Sequence, residues 1–248
     1  NDAPTITSEV SDVQGSISEQ PDITGSATLN DACGTLAFRD VDLNDEHSVA
    51  HFPPSFEWSG GTLTALQIMA LTAASTFALA PHDSMGTGTG TIDWSYKVVD
   101  GALDFLADGQ TLTVTYDVLV ADAHNGTLVQ PVTVTMTGAN DAPTVVVETC
   151  PDHLVEATST NSGVSSATAV LSLDDVDGTA VYDAAALIAD GWSTQGQMFT
   201  KVVNYGTATL DPSCHTLSFA LDNAAADGLT SGDHQQVVFD VPVTDGTA

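Results

Sequence analysis

Basic side chains are almost absent: Arg39, Lys97 and Lys201 stand against 33 acidic residues, for a formal net charge of −30 over 248 residues. A chain this poor in positive charge repels nucleic acid and anionic lipid, which excludes functions built on basic patches. Long apolar runs are missing as well. No stretch approaches the ~18 residues that crossing a bilayer needs, so no membrane insertion is expected. Cysteine is scarce, with Cys33, Cys150 and Cys214 lacking the CxxC spacing of a metal knuckle. Cys150 and Cys214 could pair in an oxidising compartment, or all three could be buried thiols. No nucleophile elbow, HExxH or glycine-rich phosphate loop occurs, so no enzyme is expected. Signal-peptide and lipidation patterns are also lacking. The chain opens inside a motif that recurs at its middle, as a segment of a longer protein would.

What the chain does contain is folded-protein composition and a repeat. Its hydrophobic fraction of 42% is ordinary, so the acidity is not that of a disordered tail. The tetrapeptide Asn-Asp-Ala-Pro occurs at Asn1–Pro4 and again at Asn140–Pro143, followed each time by Thr and β-branched residues. A recurring boundary of this kind indicates units in series. Pro143 fixes its own φ and biases Ala142 toward extended backbone, while Asn140 and Asp141 supply hard oxygens. A stiff connector so equipped suits a hard cation, and Ca2+ is the natural occupant. Residues 1–139 carry 18 acids and residues 140–248 carry 15. The acids cluster, which favours cation ligation, although acidic surface solvation of the kind seen in salty media is compatible with it.

Strand patterns dominate. Residues 111–118 and 132–137 alternate with period two, and Val237–Val243 does the same in the second half. Leu63–Ala80 and Tyr182–Ala189 are the only helical patterns, and short helices are expected there. The halves also correspond in detail. Asp40-Val41-Asp42 matches Asp175-Val176-Asp177, each just after an apolar strand. Asp117 and Asp240 lie eight residues beyond Gly109 and Gly232, and Asp122 and Asp245 lie thirteen beyond them. The expectation is an all-β protein of two tandem sandwich modules, 1–139 and 140–248, joined by a short calcium-binding linker. The first module has the longer middle region, with a mobile Gly/Thr-rich loop around His82–Gly90. The second stops at Ala248 right after Asp245-Gly246-Thr247, so its final strand is expected to be missing, leaving an open edge.

The segments Leu36–Asp42, Ala102–Leu112 and Thr137–Pro143 resemble the VCBS-type, cadherin-like repeats of large bacterial RTX adhesins, and Tyr205–Leu210 with Leu221–Asn223 resembles a neighbouring form. The resemblance covers nearly the whole chain. It implies Ig-like or cadherin-like sandwiches, calcium within and between modules, type I secretion and a place at the bacterial cell surface. The implied partners are adjacent repeats of the same long chain, with a host or surface glycan or protein met through other domains. The implied role is a spacer in cell adhesion or biofilm formation; the alternative is a module that itself binds glycan or peptide.

Calcium takes six to eight oxygens from several loops. In the first half, Asp40, Asp42 and Asp45 (with Glu46) are expected to curl round an ion, joined by Asp100, Asp104 or Asp108 and by Asp122. At the junction the candidates are Asn140, Asp141, Glu148 and Glu156, with Asp174, Asp175 and Asp177. Asp222 and Asp245 are the second half's counterparts of Asp100 and Asp122. Because Gly178–Val181 lacks the acids of Leu43–Glu46, the second Asp-Val-Asp loop is expected to bind more weakly. The seven scattered histidines are read as surface or core residues, Trp58, Trp94 and Trp192 as core, and Asp211-Pro212 as a turn.

Overall fold

A computed structural model describes residues 1–150 and 153–247. Ala248, where the second half stops, lies outside them. The chain divides into two compact units, Asn1–Asp141 and Ala142–Ala248.

The first unit contains β1 (Thr5–Ile6), β2 (Gln14–Ser18), β3 (Leu29–Arg39), β4 (His47–His51), β5 (Ser55–Trp58), α1 (Ala65–Ala74), β6 (Ser75–His82), β7 (Thr89–Val99), β8 (Thr111–Asp122) and β9 (Thr127–Thr137). One sheet runs β1-β3-β7-β6; the other runs β2-β9-β8-β4, with β5 also pairing with β8. Alternation does the packing. Leu36, Phe38, Ile92, Trp94, Tyr96 and Val98 from the first sheet meet Leu112, Val114, Val118, Val132, Val134 and Met136 from the second, all buried. Residues of one parity thus line the core while their neighbours face out.

Two pairings position the functional side chains. β3 and β7 are antiparallel over their full length, with Arg39 opposite Thr89 and Leu29 opposite Val99. Asp40 and Asp100 therefore leave opposite ends of this ladder, about 30 Å apart at ~3.3 Å per residue. β2 and β9 are parallel, with Ser18 opposite Thr137. That register delivers Glu19 to the side of Ala139, Asn140 and Asp141.

The short helix expected within Leu63–Ala80 is α1, and the end of that run is strand. Thr64 caps α1 with a reciprocal Gln67 box. Ser75, β-branched Thr76 and aromatic Phe77 then turn to β6, where Phe77 stacks on Tyr116 with centroids 4.1 Å apart. Backbone hydrogen bonds join the His82–Gly90 loop to the Asp40–Leu43 segment. Asp40 N–H donates to Gly88 O at 3.2 Å and Gly86 N–H to Leu43 O at 2.7 Å, with Ser84 buried beneath.

The second unit contains β10 (Thr144–Thr149), β11 (Ser166–Asp174), β12 (Val181–Tyr182), α2 (Ala184–Ala189), β13 (Ser193–Gln195), β14 (Met198–Val203), β15 (Gly206–Asp211), β16 (Thr216–Leu221), α3 (Asn223–Ala226) and β17 (Val243–Thr244). Its main sheet runs β10-β11-β16-β15-β14-β13. Two pairings recur in both units. Thr5 pairs with Arg39, just before Asp40, and Thr144 pairs with Asp174, just before Asp175. Likewise β4 meets the end of β8 as β12 meets β17. The strand expected over Val237–Val243 is reduced to Val243–Thr244. Phe239 still packs on Trp192 and Phe219, but β8 has β9 to complete its ladder and no strand takes that place among the described residues of this unit. Trp94 and Trp192 are core residues and Trp58 is partly buried against Phe105. The cysteines, expected as buried thiols or a pair, are all exposed.

Candidate metal centre

The first unit carries buried carboxylates at both ends. At the Glu19 end, Glu19 (4% exposed), Asp100, Asp104 and Asp141 (1% exposed) converge. Backbone and amide donors hold one oxygen of each of the first three. Ala139 N–H donates to Glu19 Oε2 at 2.9 Å, Gly25 N–H to Asp104 Oδ2 at 2.7 Å, and Asn30 Nδ2 to Asp100 Oδ1 at 2.6 Å. Asp141 accepts from Ile23 N–H. The second oxygens, Glu19 Oε1, Asp100 Oδ2 and Asp104 Oδ1, are buried without a partner. Glu19, Asp104 and Asp141 each present an oxygen within 4.8 Å of the others.

Such a set is costly without a counter-charge. At 4.8 Å and an effective dielectric near 20, two full charges repel by about 3–4 kcal/mol. Burial, reinforced by the charges of Asp141, Asp104 and Asp100 and opposed by the Ala139 N–H, pushes the Glu19 carboxyl up to about 7. Asp141 is raised by burial and by Asp104, with Asp22 and Asp100 adding to it. Among the described residues, the one Lys or Arg ion pair is Lys201–Asp190, in the other unit. Aimed oxygens and shared charge make this a pocket that fits a divalent cation.

At the opposite end, two overlapping groups share Asp45: Asp40, Asp42 and Asp45, and Asp45, Asp122 and His124. Asp42 N–H donates to Asp40 Oδ1 at 2.9 Å, and Asp2 N–H to Asp42 Oδ2 at 2.6 Å. Asp122 closes the β8–β9 turn, accepting from the N–H groups of His124 (2.7 Å) and Gly126 (2.8 Å) and from Asn1 Nδ2 (3.1 Å). Burial works against the Asp122 anion, but these donors prevail and hold its carboxyl below the usual range. A Cβ on Gly126 would stand 2.1 Å from Asp122 Oδ2, so any other residue here would displace that carboxylate. Asp45, 6% exposed, keeps Oδ2 buried without a partner.

Sequence reasoning missed several participants. Glu19 arrives through a parallel pairing that no local pattern announces. His47 was read as an ordinary histidine; its buried ring lies between Asp40 Oδ2 (Nε2, 3.0 Å) and Asp83 Oδ1 (Nδ1, 2.7 Å). Burial alone would lower its pKa, but those two carboxylates raise it. Ser84 Oγ is 3.3 Å from the same Nδ1, yet Ser84 is buried and that nitrogen is held by Asp83, so the trio braces the loop.

The expected ligand sets are regrouped. Asp122 joins the Asp40–Asp45 loop, but Asp100 and Asp104 sit with Glu19 and Asp141 at the far end of the β3–β7 ladder, and Asp108 is exposed. Asn140 donates its amide to Asp141 O at 3.1 Å. In the second unit Asp175 Oδ1 accepts from the N–H groups of Asp177 and Gly178, and its Oδ2 is buried without a partner. Asp222 caps α3, and Asp245 Oδ1 accepts from Thr247 N–H at 2.7 Å. Glu148 and Asp174 are exposed on β10 and β11. Glu156 is raised by burial and by a hydrogen bond to Asp227. The three-ligand groups among the described residues all belong to the first unit.

No protein-family model and no curated protein sequence matches the chain. Similar solved structures include cadherin-like domains 1 to 4 of zebrafish RET, at 11% identity and a TM-score of 0.30, covering 92% of this chain and 45% of that one. The periplasmic chaperone SfaE aligns at 10% identity and 0.27, covering 86% and 95%. The C-terminal domain of the Streptococcus agalactiae AgI/II polypeptide BspA aligns at 10% and 0.22, covering 85% and 84%. The chain thus spans less than half of the RET structure. Scores this low carry no functional argument. No helix is long and apolar enough to cross a membrane.

Proposed function

We propose that the chain is a pair of calcium-stiffened extender repeats of a secreted bacterial surface adhesin, which project a distal binding domain. The observation that carries this reading is the Glu19–Asp104–Asp141 cluster, in which Glu19 Oε1 and Asp104 Oδ1 are buried without a partner and Asp141 lies inside the connecting motif. An all-oxygen set of this kind suits calcium among the abundant divalent ions.

The two copies of the motif show two attachments. Asp141 is buried among carboxylates of the unit it ends, while Asn1 and Asp2 bind Asp122 and Asp42 of the unit they begin. A tetrapeptide that does both is a connector through which cation binding stiffens a tandem chain. Without the ion the carboxylates repel and the connector loosens; with it, mass action stabilises the folded array. Adjacent repeats are then the direct partners, and export by type I secretion places the array where calcium is abundant.

Melting temperature and small-angle scattering in calcium and in chelator test the reading. A higher melting point and a longer, stiffer particle with calcium support it; identical curves oppose it. The alternative, a glycan- or peptide-binding module, draws on the exposed Phe52, Leu66 and Met69 of the first unit's longer middle region. A glycan array on the calcium-loaded protein separates the two.

A further inference from the structure

We propose that the Asp45 end of the first unit is a double site, and that its Asp45–Asp122–His124 half takes a first-row transition-metal ion such as Co2+, Mn2+ or Zn2+ rather than calcium. The proposal deepens the cation-binding reading above and rests on it for the neighbouring, all-oxygen half.

The donor set differs in kind between the halves. Asp40, Asp42 and Asp45 offer oxygen alone, whereas Asp45, Asp122 and His124 offer two carboxylates and an imidazole nitrogen, all within 4.8 Å of one another. Calcium is a hard ion that takes oxygen; imidazole suits the borderline metals. The buried Asp45 Oδ2 has no partner and serves the shared position. His124 Nδ1 lies 3.2 Å from Asp45 Oδ1, so the two donor atoms already face each other.

Local backbone builds the arrangement. His124 N–H and Gly126 N–H both donate to Asp122 Oδ1, and Asn125 adopts a φ of +76°, so the turn presents ring and carboxylate together. The His124 side chain is 59% exposed while Asp45 is buried, which leaves solvent access on the histidine side. His47 does not compete for the ion, because Asp40 and Asp83 occupy both its nitrogens. The second unit supplies an internal contrast. Its matching turn, Asp245-Gly246-Thr247, has threonine two residues after the aspartate, and the loop after Asp177 has no acid. One such site among the described residues is the consequence.

The test is Co2+ titration of the full, untagged chain in saturating calcium, read by visible d–d absorption, with His124→Ala and His82→Ala compared. His82 is an exposed histidine outside the cluster, paired with Asp93. Expected are about one equivalent of Co2+ that calcium does not displace, and a loss of at least about tenfold in affinity in His124→Ala. His82→Ala should match the parent, and the calcium-dependent rise in melting temperature should survive His124→Ala. Equal Co2+ binding by His124→Ala and parent, or complete displacement by calcium, overturns the proposal. A missing calcium effect on melting in the parent overturns the extender reading instead, and leaves the Co2+ result to stand by itself.

Discussion

Glu19 and Asp141, which lie near opposite ends of the first unit's sequence, present carboxylate oxygens within 4.8 Å of each other. The parallel β2–β9 register brings them there. Fold and charge are thus coupled at this point: the same ladder that completes the sandwich forces like charges together.

Removing one of those charges should therefore have opposite effects in the two ionic states. Asp104→Asn keeps an oxygen for the Gly25 N–H but relieves repulsion, so the chelated protein should melt roughly 2–6 °C higher, at about 2–4 °C per kcal/mol. The calcium-induced gain should shrink or vanish. Calorimetry in calcium and in chelator reads both, and a variant less stable in chelator yet fully responsive to calcium would oppose the account.

The pH dependence has a definite sign. Glu19 titrates near 4.5 as a free group and is raised to about 7 in the fold. Between those values the native state binds more protons than the unfolded one, so its stability falls as pH rises. The chelated protein should melt higher at pH 5 than at pH 7.5. Saturating calcium should flatten or reverse that slope, because protons and the ion compete for the same oxygens. Thermal scans across this range decide it.

His47→Ala should cost about 2–3 kcal/mol, because it strands the buried Asp40 carboxylate and removes the link to Asp83. Urea unfolding measures the loss. A cost below ~0.5 kcal/mol would show that the brace is dispensable.

Gly126→Ala should misplace Asp122, since the new methyl would meet its carboxylate. Cation binding at the Asp45 end should weaken while the Glu19 end is unchanged, as separate titration phases would show. Equal weakening at both ends would contradict the independence of the two clusters.

Much of the fold was legible locally and much of the site was not. The alternation in residues 111–118 and 132–137 reads directly as β8 and β9, and the match between Asp40-Val41-Asp42 and Asp175-Val176-Asp177 becomes a shared register at β3 and β11. Spacing could not reveal that β3 and β7 run antiparallel for their whole length, which sends Asp100 and Asp104 away from Asp40. Nor does any local pattern pair β2 with a strand more than a hundred residues later, so Glu19 stayed hidden. His47 was invisible for a related reason: its partners Asp40 and Asp83 come from two loops that meet only when the sheets close. The Ala- and Leu-rich run of residues 63–80 holds the short helix expected of it, but apolar composition alone does not mark where that helix gives way to β6 at Ser75.

The most direct measurement is a crystal structure of the chain grown in abundant calcium, with anomalous differences collected at long wavelength. The account predicts an anomalous peak ligated by Glu19, Asp104 and Asp141 at oxygen distances of about 2.3–2.6 Å. Ordered water alone among those three side chains, with calcium plentiful in the crystal, would contradict it.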